Sequence, residues 1–384
     1  MTQNKPHVQA VTVGPQHHFF GYYDKSPWDP TGRWLLALQS RFWGRPPTAE
    51  DMALIGTIDT QNDNRWTPVA ETRAWNWQQG CMLQWLGNEN KIIFNDRCDN
   101  QYVARILDLS DGHERTLDRP IYTVSRNGLS AVSLNFSRLH HQRPGYGYVG
   151  ISDPWETEKA PQNDGIYTMD LSTGTSRLLI SLADIVNVKP SPHFAASIHR
   201  FNHAQIRPDG QRFAFFHRYR ENERGITRMF TVNFDGSALY ALSDHGMVSH
   251  YDWRTNDEIV AWAHHPDLGT HYLRMQDQTQ ECRILGEEVF HSDGHCSFSP
   301  TDRSWMLTDT YPREDHCRAL MLFHLPTEHR IDLGRFYSSP ECAGESRCDL
   351  HPRWSRDGRQ VCFDSTHEGS RQIYTLDVSE IVDG

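Results

Sequence analysis

Apolar and polar positions along this chain follow a recurring phrase. A short strand ends in a turn rich in Pro, Asp, Asn and Gly, and an apolar strand follows. The first copy runs Trp28-Asp29-Pro30-Thr31-Gly32, then Trp34 to Leu38. Further copies centre on Gly87-Asn88, Asn127-Gly128, Asp209-Gly210, Thr255-Asn256, Thr301-Asp302 and Asp357-Gly358. Each copy precedes a second alternating strand, as at Ile106 to Leu109, Ile166 to Leu171 and Ile373 to Val378. Alternation of period two bounded by turn formers predicts hairpins. Self-similarity at this spacing predicts propeller blades. The pattern therefore predicts an all-β, seven-bladed β-propeller, one domain over residues 1–384, with four strands per blade. The first strand of each blade should line the central channel. The segments His18–Asp24 and Arg371–Val378 are expected to share a blade and close the ring, leaving no sheet edge exposed. Helical periodicity is scarce, with a brief turn expected at Leu182 to Val186. One long insertion, residues 139–164, interrupts the rhythm and carries Pro144-Gly145-Tyr146-Gly147-Tyr148.

Aligning the last four copies on their turns adds chemistry to this frame. His203, His250, His295 and His351 each stand five residues before the matching turn position. In a propeller such positions converge on the axis, so four imidazoles distant in sequence should meet. That cluster suits a divalent transition metal: zinc, manganese, iron or nickel. Cys296, Cys348 and Asp349 lie beside the column and offer alternative ligands.

The first three blades lack the column. They carry His17-His18-Phe19-Phe20-Gly21-Tyr22-Tyr23-Asp24, the pair Trp75 and Trp77, Arg97, Tyr122 and Arg138. Tyr122 and Arg138 flank the Asn127-Gly128 turn and are expected on adjacent strands facing one cleft. An Arg neutralises charge that builds on a carboxylate when the neighbouring proton is removed. A Tyr or His exchanges the proton. This combination points to β-elimination on a uronic acid sugar, with Tyr122 as acid/base, Arg138 as neutraliser and Arg97 and His18 as auxiliary contacts. The bland alternative makes Tyr122 a core aromatic, Arg138 a salt bridge and the histidines 17 and 18 links between blades.

At these residues the sequence resembles the seven-bladed propeller polysaccharide lyases: ulvan lyases, rhamnosyl-glucuronate lyases and oligogalacturonate lyases. The resemblance implies a Tyr–Arg pair in the roles given to Tyr122 and Arg138. It also implies a zinc or manganese ion held by histidines near the axis. The ulvan type places two further histidines upstream of its tyrosine, where this chain has Gln78 and Gln79. A related propeller group of glycoside hydrolases, cutting beside glucuronic acid in rhamnose-glucuronate linkages, uses one histidine near the chain start, a part open to His17 or His18. A non-catalytic sugar-binding or sensing propeller is the third alternative.

Composition bounds the partners. Lys and Arg number 38 against 49 Asp and Glu, a formal net charge of -11. That balance argues against nucleic acid or an anionic membrane as partner and leaves room for an acidic oligosaccharide in a local basic pocket. The eight cysteines form no CxxC pair. Together with a polar start, they suggest reduced thiols in a cytoplasmic protein.

Overall fold

The computed structural model describes residues 6–383; the polar start, residues 1–5, lies outside them. Twenty-eight strands form seven four-stranded antiparallel sheets, the blades of a seven-bladed β-propeller. Blade 1 takes His17–Phe19, Trp34–Ser40, Ala53–Asp59 and Arg65–Thr72, from the axis outward. Blades 2 to 6 repeat this order, beginning at Gln84–Trp85, Thr123–Val124, Arg200–Ile206, Val248–Trp253 and Ser297–Phe298. Each repeated phrase of the sequence is the innermost hairpin of a blade. The turn glycines show why the phrase recurs: Gly210 and Gly358 sit at φ +77° and +73°, where a Cβ would be strained.

Blade 7 is composite. Its inner strands are Arg353–Trp354, Gln360–Ser365 and Gln372–Asp377, and its outermost strand is Val8–Ala10 from the chain start. Val8 pairs with Leu376 and Ala10 with Tyr374. The closing strand is therefore not His18–Asp24, as expected from the sequence. His17–Phe19 opens blade 1 instead and only touches the end of blade 7, through the Arg371 carbonyl and the Gln372 side chain. The reason is length: a strand that lines the axis and a strand that closes the rim stand at opposite edges of a blade. The chain needs the preceding residues to reach the rim.

The core lies between blades rather than in one centre. Phe19, Leu36, Leu38 and Ile55 of blade 1 pack on Trp75, Trp77, Ile92 and Phe94, which belong to blade 2 and its approach. Each such fully buried side chain contributes about 1.5–3 kcal/mol. The long insertion begins as the helix Phe136–Gln142, capped by Asn135, and continues as loop to Asp164. The brief helix near residue 182 spans Leu182–Ile185. No helix among the described residues is long and apolar enough to cross a membrane. All eight cysteines are free thiols.

Candidate metal centre and the face around it

Four histidines from four blades meet at one end of the axis. His203 and His250 lie on the innermost strands of blades 4 and 5; His295 and His351 stand two residues before those of blades 6 and 7. Neighbouring ring centroids are 5.8 Å apart for His203 and His250, 4.2 Å for His250 and His295, and 4.4 Å for His295 and His351. The Tyr22 ring lies within 4.8 to 6.4 Å of all four. Backbone geometry is spent to achieve this. His203 and His351 adopt φ +56° and +42°, a left-handed conformation costing a non-glycine residue about 1–2 kcal/mol. His203 also sits in a register shift between Asn202 and Gln205. Strain of this kind persists where the surroundings over-determine it, commonly at functional sites.

Three of the rings are oriented through Nδ1. His295 is held by Asp309 at 2.8 and 3.0 Å, His250 by Asp293 at 3.0 Å, and His351 by the Gly21 carbonyl at 2.9 Å. An imidazole that gives its Nδ1 proton to a carboxylate or carbonyl presents a bare Nε2, the usual arrangement around a bound metal. His351 Nε2 and both ring nitrogens of His203 are buried without any hydrogen-bond partner. Orphaned buried nitrogens are uncommon and call for a ligand. Ligand atoms of His295, Asp349 and His351 all lie within 4.8 Å of one another. Two imidazoles and a carboxylate fit a divalent transition metal.

Charge supports the same reading. Burial opposes ionisation of Asp349, but Arg347 and Arg318 outweigh it and hold the carboxyl at about 2. Burial, then the neighbouring His295 charge, pushes His351 well below its usual range, and burial followed by the His250 charge does the same to His203. Burial would lower His295 too, yet Asp309 reverses the direction. His203, His351 and the buried His217 are thus neutral when folded, whereas an unfolded chain protonates each near 6.5. In metal-free protein, stability should be complete above that pH. Below it, stability should fall by about 1.4 kcal/mol per pH unit for each histidine. Urea midpoints measured in chelator at successive pH values check this slope.

Two arginines complete the face. Arg200 and Arg218 are directly opposite one another on adjacent strands of blade 4. Like charges in that relation repel. No carboxylate lies within ion-pair distance of either among the described residues, whereas the buried Arg138, Arg212, Arg318, Arg353 and Arg371 each have one. Arg200 Nε and Nη1 and Arg218 Nε are buried without a partner. Burial, reinforced by the Arg218 charge, pulls Arg200 down to about 9. Tyr311 lies 5.6 Å from the His295 ring and 6.1 Å from His250, and burial keeps its hydroxyl protonated. From the insertion, Tyr146 accepts a 2.8 Å hydrogen bond from Arg347.

The residues expected to perform acid/base chemistry in the first three blades are not brought together. Tyr122 is wholly buried; its hydroxyl accepts from Gln79 at 2.9 Å and donates to Asn202 at 3.2 Å. Arg138 does not stand on a strand beside Tyr122 but in the helix Phe136–Gln142. All five of its N–H donors are used, on Asp153 and on the carbonyls of Trp155, Glu158, Lys159 and His199. It pins the insertion to blade 4 and has no donor left for a substrate. Arg138→Ala should cost about 3–5 kcal/mol by stranding Asp153, seen as a lowered denaturant midpoint. Arg97 lies against Gly150 of the insertion. His18 bonds Gln372 of blade 7 at 3.1 Å through Nδ1 and Gln39 of its own blade at 2.8 Å through Nε2, so both ring nitrogens are engaged and one of them links blades. Cys296 and Cys348 are buried thiols in weak contact with carbonyls, not members of the cluster.

Sequence reasoning missed Asp293, Arg200, Arg218 and Tyr311. One signal was present: Asp293 and Asp349 each stand two residues before a histidine of the column. The signal is incomplete, because Asp293 bonds the histidine of the preceding blade rather than its own neighbour. Gln78 donates to the carbonyls of Glu345 and Arg347, both at 2.9 Å, and so supports the loop that carries Asp349.

No family model matches the sequence, and no curated protein matches it. Solved structures do share its fold. An oligogalacturonate lyase from Vibrio parahaemolyticus superposes with a TM-score of 0.68 at 15% identity, over 98% of this chain and 95% of that one. An oligogalacturonate lyase in complex with manganese gives 0.71 at 16%, over 100% and 96%. The tricorn protease gives 0.56 at 13%, over 97% of this chain but 35% of its own. The chain is thus similar in fold, nearly end to end, to the propeller of oligogalacturonate lyases.

Proposed function

We propose that the chain is a metal-dependent lyase that cleaves a uronate-containing oligosaccharide by β-elimination at the histidine face. The observation that carries this reading is the juxtaposition of two unlike sites. A buried His/Asp cluster with bare nitrogens stands near two opposed arginines that no carboxylate among the described residues pairs with. An acidic sugar supplies the missing carboxylate, and its binding removes the Arg–Arg repulsion.

His295, Asp349 and His351 would hold the ion, with His203 and His250 flanking them. The manganese-bound structural neighbour favours manganese, and the mixed nitrogen–oxygen donor set accommodates it as it would zinc. A bound divalent cation would withdraw charge from the substrate carboxylate and so acidify the adjacent C5–H. Arg200 and Arg218 orient that carboxylate and stabilise the charge that builds on it. His250 takes the proton at Nε2. Burial, outweighing the opposing pull of Asp293, keeps it neutral and therefore competent as a base. Tyr311 donates to the departing glycosidic oxygen. Tyr122 and Gln79 act from behind, bracing Asn202 next to His203.

The direct test is ultraviolet absorbance of the unsaturated uronate product, with manganese-loaded protein and oligomers from pectin, ulvan and plant gums. A trace that stays flat on all three discards the lyase reading. Release of reducing sugar without the absorbance would move the assignment to hydrolysis. On the cleaved substrate, Arg218→Ala should lower kcat/KM by about 10–100-fold, the worth of one hydrogen bond to a charged group. Unchanged kinetics would remove Arg218 from the site.

A further inference from the structure

The opposite mouth of the channel holds a separate cavity of about 530 Å³. It is formed where the innermost strands run into their turns, so every blade contributes to its wall. The segment Gly21–Lys25 divides it from the histidines. Gly21 bonds His351 through its carbonyl, Tyr22 and Tyr23 fill the axis, and Asp24 and Lys25 reach the cavity wall. The volume falls within the range of small-molecule sites.

The wall is built for negative charge. Its two acids are already engaged. Asp24 is paired with Lys25 at 2.8 Å; Asp252 accepts from Gln205 at 2.7 Å and from the Phe298 amide at 2.8 Å. Arg353 is committed to Asp364, and Arg356 to the carbonyls of Trp28 and Gly87. Arg126 and Arg303 are not committed. Neither has a carboxylate within ion-pair distance among the described residues, and Arg303 makes one long contact, 3.3 Å, to the Phe298 carbonyl. Burial first, then the charge of Arg303, lowers Arg126. Two neutral groups in the same wall lack partners: Ser297 Oγ, on a residue only 8% exposed, and Gln205 Oε1. Unsatisfied buried hydroxyl and amide oxygens beside two free guanidinium groups describe half of a hydrogen-bonding surface.

We propose that this cavity is a second ligand site, for a sugar-sized molecule that carries one carboxylate or phosphate group. Arg126 and Arg303 clamp the anionic group; Ser297 and Gln205 take hydroxyls. The site is independent of the elimination chemistry assigned to the other face.

Calorimetric titration of the full chain with galacturonate, glucose 6-phosphate and galactose tests it. One of the two anions should bind and galactose should not; which anion binds separates a carboxylate from a phosphate site. The double variant Arg126→Ala/Arg303→Ala should weaken that binding by about tenfold or more. Its melting temperature without ligand should change little, because neither residue makes an ion pair and Asp252 keeps its hydrogen bonds from Gln205 and the Phe298 amide. His351→Ala should leave the binding intact. Absence of binding by both anions overturns the proposal. So does binding that survives the double variant, or binding that His351→Ala removes. A flat absorbance trace in the lyase assay would sink the reading of the histidine face and leave this titration unaffected.

Discussion

Replacing His250 with asparagine is expected to lower kcat on the cleaved oligouronide by about 10²–10⁴-fold, with the bound metal retained. The reasoning is geometric. His250 is fixed through Nδ1 by Asp293 and stands 4.2 Å, ring to ring, from His295, just outside the three residues whose ligand atoms converge. A proton acceptor should be placed in this way: oriented from behind, uncharged, and beside the group that acidifies the substrate. Asparagine keeps a polar partner for Asp293 but cannot take a proton at neutral pH. Elemental analysis and steady-state kinetics on the same preparation read the two effects separately. Loss of metal from His250→Asn would make His250 a ligand and leave the base unassigned.

His351→Ala should abolish both metal and turnover. Its Nε2 is one of the buried nitrogens without a partner, and its atoms meet those of His295 and Asp349. Metal per chain after dialysis should fall by about tenfold or more. Stability needs its own control, since His351 is held at φ +42°. His351→Gly removes the same ligand but pays no Cβ penalty, and should be more stable than His351→Ala by about 1 kcal/mol. If both variants lose metal and activity equally while differing in denaturant midpoint, the ring acts as a ligand and not as a structural prop. Full metal occupancy in either variant would remove His351 from the centre.

The histidine cluster was legible because strand position and axis position are coupled in a propeller. Equal offsets from seven equivalent turns must converge on the axis, so His203, His250, His295 and His351 could be placed together from spacing alone. The Tyr122–Arg138 pair was misplaced for the complementary reason. Arg138 follows a strand directly, and nothing in its spacing shows that Asn135 caps a helix there and turns the side chain into the base of the insertion. Nor does spacing reveal that carbonyls from Trp155 to Lys159 will use up every donor. Arg200 and Arg218 carry no repeat signal. Their importance comes from pairing across two strands and from what is absent around them.

The sequence by itself determined the number of blades, the innermost hairpin of each and the column of imidazoles, because these follow from period-two alternation and a repeated turn chemistry. Only the tertiary structure decided which strand closes the ring, which nitrogens are left bare and which arginines lack a counter-charge. Those properties depend on who stands next to whom across blades. Alternation specifies a residue's own face of a sheet, while the partner opposite that face is set by packing between segments that no local period connects.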